Sequence, residues 1–133
     1  MKKIKLIATL GILAFSTAAL AEDVDTSKLP PPSTQKDVTY EKDIKPIFDK
    51  SCIDCHGPKK QKSKLRLDSL QAALKGGDDK VIQPGSSAKS ILVLNIAHLS
   101  KDKDQWMPPK GKISPLTNEQ IGLIRAWIDQ GAK

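Results

Sequence analysis

The chain has 133 residues, 22 Lys and Arg against 15 Asp and Glu, a formal net charge of +7 and two cysteines. That length supports one small domain. The basic excess comes without a nucleic-acid recognition motif, so nucleic acid is not an expected partner. After an N-terminal apolar run, no stretch of membrane-spanning length follows.

Lys2, Lys3 and Lys5 form a basic start, residues 6–20 are mostly apolar, and Ala19-Leu20-Ala21 offers the small residues of a cleavage site. Residues 1–21 therefore read as an export signal peptide. The apolar run is short for a span, and no cysteine at the cut site is available to carry a lipid. The expected product is soluble and periplasmic, with no membrane anchor. Cleavage after Ala21 leaves 112 of the 133 residues, and losing three signal lysines leaves 19 basic side chains against 15 acidic ones, a net +4. Such an excess suits steering toward an acidic partner, though ordinary solubility explains it equally well. Residues 22–39 contain Pro30-Pro31-Pro32 and read as a flexible leader, because polyproline is an extended spacer that does not join a packed helix.

Residues 40–133 read as one mostly α domain of short helices joined by loops rich in Gly and Pro. Asp43 is placed to cap a first helix with Ile44, Ile47 and Phe48 on its buried side, and Pro46 falls in the first turn, where its missing N–H costs nothing. This helix leads into Cys52-Ile53-Asp54-Cys55-His56. C-x-x-C-H is the spacing of covalent c-type haem attachment. Two thiols so spaced can add across the two vinyl groups on one side of the macrocycle, and the next residue supplies an imidazole as proximal axial ligand to the iron. A redox-active dithiol of thioredoxin type wants a βαβ setting and leaves His56 unexplained. A structural zinc site needs four ligands in finger spacing. One covalent haem is the expected cofactor. Its apolar body would fill out a core whose only aromatics beyond the signal are Tyr40, Phe48, Trp106 and Trp127.

Lys59, Lys60, Lys62 and Lys64 follow the motif, where they can rim an exposed haem edge or form a solvated face. Leu65-Arg66-Leu67-Asp68 alternates but makes at most a short strand. Asp68 precedes a second helix over residues 69–75, closed by Gly76-Gly77. Ser86 or Ser87 opens a third, with Ile91, Leu92, Leu94 and Ile96 apolar. Met107, in Trp106-Met107-Pro108-Pro109, is the only methionine besides Met1. A thioether is a soft ligand that favours ferrous iron and raises the reduction potential, and the two prolines would stiffen its loop. Met107 is therefore the expected distal axial ligand; a gap-filling core methionine is the plainer alternative. His98 is the rival ligand and would give bis-histidine ligation at lower potential. Arg66 or Trp106 is a donor suited to a haem propionate. In the last helix Thr117 and Gln120 form a capping box, Ile121, Ile124 and Ile128 repeat at helical spacing beside Leu123 and Trp127, and Gly131 ends the run.

Several blocks go together: Asp43-Ile44-Lys45-Pro46-Ile47-Phe48, residues 52–58, Leu65-Arg66-Leu67-Asp68-Ser69, Ala73-Leu74-Lys75-Gly76-Gly77-Asp78, Pro84-Gly85-Ser86, Met107-Pro108-Pro109 and Trp127-Ile128 with Gly131-Ala132. With them the chain resembles the planctomycete-type cytochrome c domain, a branch of the c-type cytochrome superfamily. The resemblance spans residues 40–133. It implies a cytochrome c fold with crossing N- and C-terminal helices, thioether links at Cys52 and Cys55, His56 as proximal ligand and Met107 as distal ligand. The expected function is that of an exported, monomeric single-haem electron carrier, not an enzyme, that meets redox partner proteins. Two alternatives stand beside it: an electron-delivering subunit of a periplasmic dehydrogenase or oxidase, and a gas sensor or peroxidase-like protein with an open iron position.

Overall fold

The computed structural model describes residues 24–133; the signal-peptide reading of residues 1–21 lies outside the described residues. Four helices carry the fold: α1 (Lys45–Ser51), α2 (Leu70–Lys75), α3 (Ile91–Ile96) and α4 (Asn118–Asp129). Among the described residues there is no strand, only an isolated bridge between His56 and Gln61. The mostly α class expected from the sequence is the class observed. No helix of the described residues is long and apolar enough to cross a membrane.

Local chemistry explains the helix ends. Ser69 caps α2, its hydroxyl accepting from the Ala72 amide at 3.2 Å, and Gly76 at φ 78° stops it. The capping box of α4 is complete, with Gln120 N to Thr117 Oγ1 at 3.2 Å and Thr117 N to Gln120 Oε1 at 3.0 Å. The start of α1 differs from expectation. A π-helical turn, Tyr40–Ile44, runs into it, so Asp43 lies inside the turn and accepts from the Thr39 amide at 2.9 Å. Asp43 thus satisfies an amide one turn earlier than the one foreseen. Pro46 keeps its first-turn place.

Three of the four aromatics meet where the N-terminal turn and α1 pack on α4. Trp127 is fully buried, 6.0 Å from Tyr40 and 6.4 Å from Phe48 between ring centres, the latter edge-on at 82°. Buried Tyr and Trp need partners for their polar ends. Tyr40 OH donates to the Leu67 carbonyl at 2.7 Å and Trp127 Nε1 to the Lys133 carbonyl at 2.9 Å.

The Pro-rich segment expected to be a flexible leader instead lies on α4 as a strap. Leu29 and Val38 are buried. The Ser33 amide donates to the Gly122 carbonyl at 2.9 Å, Arg125 reaches the Pro30 carbonyl, and Gln130 takes both the Val38 amide (3.1 Å) and the Gln35 carbonyl (2.8 Å). Extended polyproline cannot join a helix, yet its carbonyls remain free to accept from one.

Candidate functional site

Cys52 closes α1, its amide donating to the Phe48 carbonyl at 2.8 Å, and the chain then turns on the Cys52 carbonyl, which accepts from Cys55 N (3.1 Å) and His56 N (2.9 Å). A Cβ on Gly57 would lie 2.5 Å from the Ile53 oxygen; only glycine permits that approach. The returning chain pins the motif, with Lys62 N to Cys55 O at 3.0 Å and Leu67 N to His56 O at 2.7 Å.

Cys52 and Cys55 are free, half-buried thiols. Burial, followed by the neighbouring Cys55, pushes the Cys52 thiol up to about 12. A redox-active dithiol needs the opposite shift. His56 is buried, with Nδ1 3.2 Å from the Lys62 carbonyl. A carbonyl only accepts, so Nδ1 bears the proton and Nε2 keeps its lone pair, as in metal-ligating histidines whose other nitrogen is held by the protein. Burial lowers the His56 pKa, against the raising effect of the Lys62 and Leu65 backbone. The ring is thus kept in the neutral form that ligates.

Cys52, Cys55, His56 and Met107 all line one cavity of about 360 Å³, within the roughly 300–1,000 Å³ of cofactor sites. Leu65, Leu67, Leu92, Ile96 and Leu116 supply apolar wall. Pro108 and Pro109 stand beside Met107 in the same wall. Two free thiols, a neutral imidazole with an available lone pair and a thioether, in apolar surroundings, make a donor set that fits haem c. Among the described residues, no group of three or more His, Cys, Asp and Glu is gathered to hold a bare metal ion.

The other candidates lie elsewhere. His98 is absent from the cavity wall and stacks on Trp106, ring centres 4.9 Å apart and planes 3° apart. Arg66 forks onto Asp68 at 2.9 and 2.6 Å, and Trp106 Nε1 donates to the Ser100 carbonyl at 2.9 Å. Neither lines the cavity. Of the four lysines after the motif, Lys60 and Lys62 line it; Lys64 pairs with Asp78 at 2.8 Å. The contact that sequence reading missed is the Lys62 carbonyl on His56. A backbone oxygen leaves no mark in the sequence, since its place depends on how the whole loop returns.

Residues 52–111 match the family model described as Planctomycete cytochrome C. No curated protein matches. Among solved structures, hydrazine synthase of Kuenenia stuttgartiensis is similar in fold, with a TM-score of 0.51 and 24% identity over 71% of this chain and 16% of that one. The present chain thus spans about a sixth of that protein's length. With the C-x-x-C-H turn and the apolar cavity in agreement with the family match, residues 52–111 carry a planctomycete-type cytochrome c domain, and such a domain implies covalent haem c with its iron.

Proposed function

We propose that the chain is an exported single-haem carrier of one electron, with iron held between His56 and Met107. The convergence of Cys52, Cys55, His56 and Met107 on one apolar-walled cavity carries this reading. Cys52 and Cys55 would bear the thioether links, and His56 Nε2 and Met107 Sδ the two axial positions. Haem so held supplies a ferric–ferrous couple. The chain's own contributions are separable. The leucine and isoleucine walls keep water away, the thioether favours the ferrous state, and the Lys62 carbonyl fixes the imidazole and raises its basicity. Were His56 and Met107 both to hold the iron, no coordination site would remain for a substrate, which is the ground for reading a carrier before a sensor or peroxidase. Ile91, 38% exposed, lies in the cavity wall with Lys60, Lys62 and Lys112. An apolar contact flanked by cations suits brief docking of an acidic-faced redox partner in the periplasm.

The test is the absorption spectrum of the purified ferric protein. A far-red band from methionine–iron charge transfer is expected, and Met107→Ala should abolish it; persistence of the band in that variant would refute the ligation. Intact mass should exceed the polypeptide by one haem, and Cys52→Ser/Cys55→Ser should remove that increment. A second reading is an electron-delivering module of a larger redox enzyme. It is favoured by the occurrence of a similar fold as 16% of a hydrazine synthase chain. Stable co-purification with a catalytic subunit would select it.

A further inference from the structure

Met107 is anchored through both of its backbone polar groups. Its amide donates to the Asn95 carbonyl at 3.1 Å, and its carbonyl lies 3.2 Å from His98 Nε2. Since a carbonyl only accepts, the proton is on Nε2 of His98, and that nitrogen is engaged with the loop. The imidazole is itself immobilised. It lies flat on Trp106, whose indole N–H is tied to Ser100, and Ser100 Oγ donates to the Asn95 side chain. His98 sits at φ 55°, a left-handed conformation that is uncommon outside glycine and persists where surrounding contacts over-determine it.

We propose that His98 is a positioning residue for the distal sulfur: its Nε2–H and its stack on Trp106 hold the Met107 backbone so that the thioether stays in the cavity wall. The proposal rests on the reading of Met107 as axial ligand. A thioether is a weak partner for ferric iron, so its retention there depends on a loop already fixed in place. Supporting contacts of metal ligands are typically worth 10- to 100-fold in ligation.

The experiment is a titration of the ferric haem-loaded protein with imidazole, which competes with the sulfur, followed through the main haem absorption band, with the far-red band marking sulfur ligation wherever Met107 is present. His98→Asn tolerates the left-handed backbone but is too short to reach the Met107 carbonyl. It should bind imidazole about 10-fold or more tightly than the parent. His98→Gln, whose amide can replace Nε2–H, should recover a large part of that difference. In the Met107→Ala background, His98→Asn should change nothing, because the residue it acts through is gone. Equal imidazole affinity in parent and His98→Asn, with Met107→Ala still binding more tightly, overturns the positioning role and leaves the ligation intact. If Met107→Ala alters neither band nor affinity, the ligation reading itself fails. An effect of His98→Asn that persists without Met107 overturns the proposal and makes His98 a ligand. Should His98→Asn take up no haem, Trp106→Leu, which removes the stack and leaves the donor, gives the same comparison: tighter imidazole binding sustains the role and parental affinity overturns it.

Discussion

Replacing Gly122 by alanine is expected to destabilise the intact chain yet stabilise one deleted for residues 24–36. Gly122 is buried on α4 beneath the strap, and a Cβ there would meet the Pro31 oxygen at 2.7 Å. Ordinary contact begins near 3.4 Å, so the strap must retreat by about 0.7 Å. In the helix itself alanine is favoured over glycine by roughly 0.8–1.0 kcal/mol. Against this, a strap that lifts away gives up the Ser33–Gly122 and Arg125–Pro30 hydrogen bonds, about 1 kcal/mol each. It also gives up the burial of Leu29, roughly 1.5–3 kcal/mol. The net loss should lie between about 1 kcal/mol, if the contact only loosens, and about 4 kcal/mol, if the strap detaches. Without the strap only the propensity gain remains, about 1 kcal/mol in the opposite direction. Guanidinium unfolding of the four haem-loaded proteins measures the cycle. Alanine stabilising both backgrounds alike would refute the seating of the strap on α4.

Trp127→Ala should cost roughly 3–5 kcal/mol in the same assay, because the ring is fully buried against Tyr40 and Phe48 and little around it can collapse inward; a cost below 1 kcal/mol would contradict the aromatic core. The Arg66 fork, acting mainly through its hydrogen bonds, holds the Asp68 carboxyl below the usual carboxylate range. A depressed folded-state pKa adds stability above the unfolded value near 3.9 that is lost as pH falls through the folded value. Asp68→Asn should therefore show a small deficit at pH 7 that narrows in melts as the pH is taken below the unfolded value. The deficit stays small because the pair is partly exposed; a deficit constant across that range would count against the ion pair.

Much of the site was legible locally. The attachment motif can be read because covalent linkage through two thiols demands a fixed gap, with the imidazole next in line. The end of α2 at Gly76 and the start of α4 at Thr117 were legible because capping bonds span only a few residues. Asp43 was misplaced for the same reason seen in reverse: its partner depends on where the preceding turn begins, and Tyr40–Ile44 shifted that start. The strap was read as a leader because only Leu29 and Val38 are buried in it. The groups that hold it, on Gly122, Arg125 and Gln130, lie far along the chain.

Sequence alone determined the chemistry on offer: paired thiols, an adjoining imidazole, one thioether and a rival histidine. It also determined a mostly helical chain around them. Which of the distant donors reaches the cavity wall was decided only in three dimensions. The Asn95 carbonyl and the His98 ring capture the Met107 peptide, while the Lys62 carbonyl selects the proton-bearing nitrogen of His56. Such choices are made by backbone oxygens, which every residue carries, so their identity conveys nothing until the fold sets their positions.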